Sequence, residues 1–398
     1  MDKNYNKIFK NYDLCDNCLG RLLEKKKCID YDKIGKNIRL KYDLNKTKIK
    51  DCYLCEGLLS EIDFYVDLIL NKLKNYEFET FLIGSKIEED ILEKEKELLK
   101  IVDNDTYYHL KNEINKKIGL ILEQKLKKTV EFEKPDIMII LDTQFNNINL
   151  QIQPVYIYGR YKKFSRKLPQ TKWFCRICKG IGCRACNYSG TKYKKSVEKL
   201  IAKYFLKDTK ALKDSFHGAG REDIDVKMLG NGRPFILELK DPKIRNIDLD
   251  KLSRMINEEN NKYIEISNLR FTNREEIKKV KNSKYKKIYE IKIKSDTLIN
   301  NEKLKKVAKS LQGKTIKQKT PSRVAHRRAD LTRDKKIYNC KIESIDDTIA
   351  TLVIETESGT YIKELINGDE GRTIPNISDL INNPCKVETL DVIKIKGE

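Results

Sequence analysis

The chain has 398 residues, and its 82 Lys and Arg residues outnumber 60 Asp and Glu residues to give a formal net charge of +22. This length exceeds what one hydrophobic core usually supports, so we expect two domains. The positive excess favours a polyanionic partner over a small neutral metabolite. No apolar run approaches the ~18 residues that span a bilayer, and the N-terminus lacks the apolar core of a signal peptide. We therefore expect an intracellular, cytoplasmic protein without membrane contact.

Cysteines are informative here, because eight of the eleven occur in Cys-x-x-Cys pairs. In a chain without a secretion signal, this arrangement indicates metal binding rather than disulfides. Cys15 with Cys18, and Cys52 with Cys55, supply four thiolates, which predicts a closed, structural zinc site. Two unrelated buried cysteine pairs are the alternative. The presence of two pairs argues against redox chemistry, which would need only one reactive Cys-x-x-Cys pair.

A second and denser cysteine cluster follows Trp173. Its two knuckles are separated by four residues, and two of these are glycines that permit a sharp reversal. We expect a second zinc here, in a Cys-rich ribbon over 173–190 with a basic surface. The expected ligands are Cys175, Cys178, Cys183 and Cys186.

The N-terminal part after the first cysteines alternates between helical and strand-like patterns. This order predicts a small α/β module. The predicted elements are a helix over 58–73, a strand over 78–87, helices over 88–99 and 107–127, and strands over 135–141 and 148–152.

A basic segment over 156–172 carries six Lys and Arg residues and no acidic residue. Tyrosines are interspersed with the basic residues, a pattern that suits phosphate contact combined with base stacking. We predict RNA contacts by Arg160, Lys162 and Lys163, with a solvated linker as the alternative. The domain boundary is placed at its end, which gives domains 1–170 and 171–398.

The second half also alternates, and its order predicts a mixed, largely antiparallel α+β sheet. The predicted elements are helices over 196–206, 248–261 and 273–280, and strands over 223–229, 235–239, 263–271 and 288–293.

Three sequence blocks of the second half carry a family resemblance. The segment 218–235, GAGREDIDVKMLGNGRPF, resembles the active-site loop of tRNA pseudouridine synthases, and its GNGRPF part is similar to the archaeal and eukaryotic "Pus-ten" family. Segments 318–330 (QKTPSRVAHRRAD) and 359–373 also match that family's pattern. The N-terminal module resembles the family's THUMP-containing accessory domain. The resemblance spans nearly the whole chain.

Membership of this family implies a fold and a reaction. The fold would be α+β, with a C-terminal pseudouridine synthase domain on a mixed or antiparallel sheet and an N-terminal zinc-containing, THUMP-like α/β accessory domain that binds tRNA. The reaction would isomerise uridines 54 and 55 in the TΨC arm of tRNA. It needs no organic cofactor, so zinc would be structural only.

The resemblance selects Asp223, in the G-R-x-D core of the loop, as the catalytic nucleophile. Arg221, two residues earlier, would neutralise or aim the carboxylate. Asp225 lies two residues later and is the alternative nucleophile.

Similarity to the superfamily also assigns substrate-contacting residues. Tyr285 matches the tyrosine that stacks on the target uracil, with Tyr289 as a register-shifted alternative. Tyr361 is a second contact, and Lys363 would pair with the catalytic aspartate where relatives often have arginine. Leu390 matches the residue that forms the apolar wall of the uracil pocket.

A second basic segment, 314–336, contains nine Lys and Arg residues against two Asp. We expect it to clamp tRNA phosphates through Arg323, Arg327 and Arg328. The expected partner is thus tRNA, and a monomer is the default. One alternative is a non-catalytic zinc-containing tRNA-binding protein. The other is a different THUMP-type tRNA-modifying enzyme, but the sequence lacks the S-G-G-x-D-S loop and the glycine-rich site that such enzymes need.

Overall fold

A computed structural model describes residues 3–25, 30–102 and 107–397. The chain divides into two compact units. The first comprises Met1–Gln153 together with the short segment Asp241–Asn246, and the second comprises Pro154–Lys240 and Ile247–Glu398. Among the described residues, no helix combines the length and apolarity needed to cross a lipid bilayer.

The first unit begins with helices that surround the first cysteine group and continues into an α/β layer. The segment 58–73, predicted as one helix, forms a short 3-10 turn followed by α4. The helices of this unit are α1 Lys3–Asn11, α2 Asp16–Leu23, α3 Tyr31–Tyr42, α4 Ile62–Leu73, α5 Glu89–Val102 and α6 Leu110–Leu126.

A four-stranded sheet lies against these helices, in the order β2-β1-β3-β4. β1 runs parallel to β2 and β3, whereas β3 and β4 form an antiparallel pair. Alternate residues of β3 are buried, so its apolar face packs into the core that α4 and α6 also line. The strands are β1 Thr80–Lys86, β2 Thr129–Val130, β3 Ile137–Asp142 and β4 Asn147–Ile152.

The second unit is built on a ten-stranded mixed sheet, which confirms the α+β prediction. Its main path is β13-β10-β11-β12-β9-β14-β7-β5-β8, with β6 paired to β7. Only the β14–β7 pair is parallel among the described pairings of this sheet. The strands are β5 Val155–Lys163, β6 Lys213–Gly218, β7 Lys227–Lys240, β8 Ile264–Thr272, β9 Lys286–Ser295, β10 Thr315–Lys319, β11 Thr332–Asp346, β12 Ile349–Thr356, β13 Thr373–Ile374 and β14 Cys385–Lys396.

Six helices accompany this sheet, and several pack on its apolar face to form the larger of the two cores. Three of them match predicted helices to within a few residues. They are α7 Val197–Thr209, α8 Leu249–Asn260, α9 Arg274–Asn282, α10 Asn301–Leu311, α11 Ile362–Asn367 and α12 Ile377–Ile381.

Two differences from the sequence prediction position the site. The strands predicted at 223–229 and 235–239 are one strand, β7, which begins at Lys227 and leaves Asp223 in the preceding loop. β7 passes β14 closely at Gly230, where φ is +58° and an added Cβ would lie 1.8 Å from the Ile393 carbonyl oxygen. Only glycine fits such a position, so Gly230 allows β7 to run on between the two predicted strands.

The division between the units also lies earlier than the predicted boundary at 170. Residues 155–163 form β5, which pairs with β7 on one side and β8 on the other. A strand hydrogen-bonded on both edges belongs to the sheet interior, so residues 156–163 of the basic segment are neither a linker nor a free loop, while residues 164–172 lie outside the strands. The division falls at Gln153 and Pro154.

Candidate active site

The loop between β6 and β7 carries Asp223, and a buried lysine holds its backbone in place. Lys163 Nζ, at the end of β5, donates hydrogen bonds to the carbonyl oxygens of Asp223 (3.1 Å), Ile224 (3.0 Å) and Leu168 (3.0 Å). Burial lowers the pKa of Lys163 to about 8, although the nearby Glu222 carboxylate acts to raise it. Lys163 therefore fixes the backbone on which the predicted nucleophile is mounted.

A buried ion pair stabilises the same loop from below. Arg233 Nε lies 2.9 Å from Glu222 Oε2, and both side chains are almost wholly buried. Tyr161 donates its hydroxyl to Glu222, and Arg233 Nη1 donates to the Ala219 carbonyl oxygen at 2.7 Å. This ion pair and these hydrogen bonds attach the residues around Asp223 to the sheet.

The Asp223 carboxylate itself faces two cations. Arg323 Nη1 donates to Asp223 Oδ2 at 2.9 Å, and Lys363 Nζ lies 3.6 Å from the same oxygen. Arg323 is shared, because its Nε also donates to the buried Glu364 at 2.6 Å. Both cations thus pair with the carboxylate that the sequence predicts as the nucleophile.

Asp225, the alternative nucleophile, lies in the same neighbourhood but farther into solvent. Lys363 Nζ donates to Asp225 Oδ2 at 2.7 Å, so this lysine serves both carboxylates. Partial burial acts to raise the pKa of Asp225, but the hydrogen bond and charge of Lys363 outweigh it, and the pKa is lowered. The Asp225 side chain is 61 % exposed, whereas that of Asp223 is 35 % exposed.

A cavity of about 420 Å³ opens beside Asp223. Its wall includes Tyr289 on β9, Leu390 on β14 and Tyr361 at the start of α11. Burial raises the pKa of Tyr289 to about 12, so its hydroxyl is neutral near pH 7. The volume lies within the ~300–1,000 Å³ typical of small-molecule pockets. The cavity thus places an ion-paired carboxylate beside an apolar and aromatic wall.

Tyr285 does not line this cavity. It precedes β9 and packs against a separate small cluster that includes Tyr156 and Ile236. Its register-shifted alternative, Tyr289, lies opposite Val392 of β14 and is buried in the cavity wall. The strand begins only at Lys286, so Tyr285 lies outside the regular alternation that carries Tyr289 inward.

Arg221 lines the edge of the cavity. Among the described residues, it makes no hydrogen bond to the Asp223 carboxylate. Its guanidinium instead lies 5.2 Å from the ring centroid of Trp173, a cation–π distance. The side chain therefore connects the active-site loop to the start of the second cysteine cluster.

The second basic segment forms a loop between β10 and β11 with a 3-10 helix over Ser322–Arg327. Two of its predicted phosphate contacts face the cavity. Arg323 reaches Asp223, and Arg328 Nη1 donates to the Tyr361 hydroxyl at 2.9 Å. The side chain of Arg327, the third predicted contact, lies outside the described residues.

The predicted RNA contacts of the first basic segment have protein partners. Arg160 is buried and donates to the carbonyl oxygens of Asn231 (2.6 Å) and Gly232 (2.9 Å), while Lys163 is wholly buried under the active-site loop. Lys162 is the surface member and pairs with Glu265 at 2.8 Å. Both faces of β5 are covered, so Arg160 and Lys163 are buried although they lie three residues apart, and their donors bind backbone carbonyl oxygens.

The first cysteine group has geometry suited to a metal. The sulfur atoms of Cys15, Cys18, Cys52 and Cys55 all lie within 4.8 Å of one another, and all four residues are buried. The Cys15–Cys55 sulfur distance is 3.9 Å, close to the ~3.8 Å edge of a tetrahedron with Zn–S bonds of about 2.3 Å. Burial raises the pKa of the Cys18 thiol, and the Arg21 guanidinium, 3.3 Å from Cys18 Sγ, opposes that rise.

The second cysteine group has the same sulfur spacing on a more exposed module. Its four sulfur atoms also lie within 4.8 Å of one another, and the Cys178–Cys186 distance is 3.8 Å. Gly180 and Gly182 adopt φ of +110° and +106°, which makes the predicted sharp reversal. Four thiols without an open position fit a structural zinc.

Comparison with known proteins identifies matching families for both units. Residues 156–396 match the family model "Pus10, C-terminal", and residues 65–142 match "Pus10 THUMP domain, archaeal". Together they cover the large sheet and much of the first unit's α/β layer.

Curated relatives match over nearly the full length. A protein from Methanocaldococcus jannaschii named tRNA pseudouridine synthase Pus10 is 40% identical, covering 98% of this chain and 93% of the relative. Proteins of the same name from Methanosphaera stadtmanae (39% identical, 99% and 98% covered) and Pyrococcus furiosus (36% identical, 98% and 96% covered) are similar. A crystal structure of a Cbf5-Nop10-Gar1 complex aligns with a TM-score of 0.31 and 14% identity, over 60% of this chain and 58% of that chain.

Proposed function

This chain belongs to the Pus10 family, and we propose that it is a tRNA pseudouridine synthase that isomerises uridines 54 and 55 of the TΨC arm. The observation that carries the chemistry is the position of Asp223, an ion-paired carboxylate at the edge of a cavity walled by Tyr289, Tyr361 and Leu390.

The reaction moves one bond within a nucleotide. The N1–C1′ glycosidic bond breaks, the uracil turns in place, C5 bonds to C1′, and in net terms the C5 proton is replaced by one on N1. Nothing is oxidised or reduced, and one carboxylate nucleophile is enough to start it. Asp223 has the ion-pair partners and, at 35% exposure, the access that this role requires.

The cations at Asp223 set the conditions for attack. Arg323 and Lys363 stabilise the carboxylate before uridine binds, and Glu364 anchors Arg323 from the protein side. When the nucleotide enters, its phosphates offer Arg323 and Arg328 alternative partners. Arg323 would then release the Asp223 carboxylate, while the loop that carries both arginines binds the tRNA phosphates.

The uracil pocket uses apolar contact and stacking. Leu390 and Tyr289 come from neighbouring strands, so their spacing is set by the sheet rather than by a loop. A nucleotide in a folded tRNA arm must be extruded to reach them, at a cost of a few kcal/mol. The net charge of +22 supplies attraction to the tRNA that offsets this cost.

The two units divide the work in this proposal. The first unit, with its THUMP match, contributes tRNA affinity, and the second unit contributes the chemistry. Zinc bound by each cysteine group would hold its module folded and takes no part in the reaction.

The test follows tritium release from tRNA labelled at uridine C5. Wild type and Asp225→Asn should release tritium, and Asp223→Asn should not, because an amide oxygen is a poor nucleophile. Asp225→Asn is the matched control two residues away. Tritium release by Asp223→Asn would exclude Asp223 as the nucleophile. Tight tRNA binding by wild type without tritium release would support a non-catalytic binding protein.

The target positions are tested with substituted substrates. A transcript that carries cytidine at position 54 or at position 55 should release part of the tritium that the unsubstituted transcript releases. A transcript with cytidine at both positions should release none. Full release from the doubly substituted transcript would place the modified uridine elsewhere.

The zinc assignment is tested by metal content. Wild type should bind about two zinc ions per chain, and replacing Cys55 or Cys178 by Ser should each remove about one. An unchanged zinc count in either variant would contradict that site.

A further inference from the structure

Lys287 is a buried cation that the roles assigned so far leave without a task. It lies on β9 two residues before Tyr289, is 7% exposed, and borders the cavity beside Asp223. Among the described residues, its ammonium group has no hydrogen-bond acceptor or ion-pair partner at bonding distance. An unpaired buried charge is costly, so its presence here calls for a ligand.

The surroundings of Lys287 make its charge more costly still. The charged groups that face it are Glu222 on the active-site loop, Arg233 on β7 and Lys335 on β11. Glu222 is already paired with Arg233, so it offers Lys287 little compensation. Burial, followed by the Arg233 charge, lowers the pKa of Lys287 to about 7. A merely structural position would be served better by an apolar side chain.

Lys287 also lies against the active-site loop. A Cβ added at Gly220 would come 3.2 Å from its Nζ, which places the ammonium group at the loop that carries Asp223. Strand alternation puts Lys287 and Tyr289 on the same face of β9. Lys287 therefore borders the same space that Tyr289 and Leu390 line.

We propose that Lys287 donates a hydrogen bond to a carbonyl oxygen of the extruded uracil and stabilises the negative charge on the base after N1–C1′ cleavage. The inference rests on the proposed function. When that bond breaks, its electron pair stays on the uracil and spreads over N1 and the carbonyl oxygens. The lysine keeps its proton throughout. Such a preorganised cation acts more strongly in the reacting state than in bound uridine, so it raises kcat.

Lys287→Met removes the charge and keeps the side-chain length. We expect kcat at saturating tRNA to fall about a hundredfold, the usual effect of losing one such donor. The melting temperature should stay the same or rise, because the variant no longer buries an unpaired charge. Lys286→Met, the same change on the exposed neighbour, should leave kcat unchanged.

The pH profile separates this role from a structural one. Wild-type kcat/KM should fall as pH rises above about 7, as Lys287 loses its proton in the free enzyme. Lys287→Arg stays charged, so it should recover part of the activity and lose that alkaline decline. Lys286→Met should keep the wild-type profile.

The outcomes are distinct. Full activity of Lys287→Met, or loss of activity together with a lower melting temperature, would overturn the role of Lys287. Absence of tritium release by wild type would instead overturn the proposed function on which it rests.

A separate observation concerns the surface of the second cysteine module. Residues 174–195 carry six Lys and Arg residues and no Asp or Glu. Ile177, Ile181 and Tyr188 on this module are 73%, 91% and 72% exposed. Exposed apolar side chains among cations match a nucleic acid, whose phosphates pair with the charges while its bases cover the apolar groups.

The module begins at the cavity edge, because Arg221 stacks on Trp173 while lining the cavity. We infer that its exposed tip binds the substrate tRNA beyond the target nucleotide, again as an extension of the proposed function. The tip would then add affinity without touching the reacting atoms.

The double variant Ile177→Ser/Ile181→Ser tests this surface. It should weaken tRNA binding about tenfold, with zinc content, melting temperature and kcat at saturating tRNA unchanged. Leu298→Ser, which removes an equally exposed apolar side chain elsewhere in the second unit, is the matched control. Unchanged affinity of the double variant, or a change in its oligomeric state instead, would overturn the inference. The binding assay needs no turnover, so its result is independent of whether the chain is an enzyme.

Discussion

The two basic segments of the second unit have similar composition and opposite uses. In the segment around β5, Arg160 and Lys163 point into the protein and bind backbone carbonyl oxygens. In the loop between β10 and β11, Arg323 and Arg328 point into the cavity and bind functional side chains. Local charge alone does not separate these cases.

The difference comes from the backbone around each segment. β5 is paired along both edges, so its side chains must alternate between the two covered faces of the sheet. The later segment leaves the sheet after β10, and its arginines are free to reach the edge of the cavity. A cation that donates only to backbone carbonyl oxygens, such as Lys163, therefore stabilises the fold, whereas one that borders the cavity can act on substrate.

The largest expected effect is at Lys163. Lys163→Met leaves three buried carbonyl oxygens without their donor, so the free energy of unfolding should fall by about 4 kcal/mol near neutral pH. Chemical denaturation monitored by circular dichroism measures it. A loss below about 1 kcal/mol would show that this lysine does not support the loop.

The same variant gives a pH test. The folded-state pKa of Lys163 is lowered to about 8 from 10.5, so the unfolded chain binds more protons between these values. Wild-type stability should rise with pH across this interval through Lys163, and the gap to Lys163→Met should widen. A gap that narrows instead would contradict the lowered pKa.

Arg323→Met comes next and tests the loop side of the comparison. Its kcat should fall about a hundredfold, equivalent to ~2.7 kcal/mol of activation free energy, with a small effect on stability. Single-turnover tritium release measures the chemical step. Loss of stability with normal turnover would place Arg323 in the same class as Lys163.

Arg160→Met should have a smaller effect on folding. It removes two hydrogen bonds to the carbonyl oxygens of Asn231 and Gly232, so we expect a loss of about 2 kcal/mol in unfolding free energy. Affinity for tRNA, measured by filter binding, should stay within about twofold of wild type because the side chain is buried. A marked loss of affinity in a stable variant would restore the RNA contact expected from sequence.

The smallest effect is expected at Lys162, the surface member of the same strand. Lys162→Met breaks a partly exposed ion pair with Glu265, so stability should change by less than about 0.5 kcal/mol. It is also the matched control for Lys163→Met, since the two residues are adjacent and the substitution is identical. A large loss here would mean that strand β5 tolerates no change at all.

Sequence reasoning reached the parts of the site that depend on local motifs. The G-R-x-D motif located Asp223, and the family resemblance selected Lys363 and Leu390. All three residues line the cavity in the structure. Both cysteine groups bring four sulfur atoms together as their spacing indicated. Such features depend on residues close in sequence or on a recognised pattern, so they do not require the tertiary structure.

Residues without a motif were harder to place. Tyr285 and Tyr289 are four residues apart and share strand parity, so alternation alone does not distinguish them. The start of β9 at Lys286 decides between them, because it leaves Tyr285 outside the strand and Tyr289 within it. Lys287 gave no sequence signal, because a lysine in a lysine-rich chain looks like a surface residue.

The sequence by itself determined the family, the alternation of helices and strands, the cysteine groups and the loop that carries Asp223. Tertiary structure decided which lysines and arginines are buried, which tyrosine lines the cavity and where the two units divide. The physical reason is that motifs and periodicity act over a few residues. The burial of Lys163 and Lys287, in contrast, depends on strands paired from distant parts of the chain.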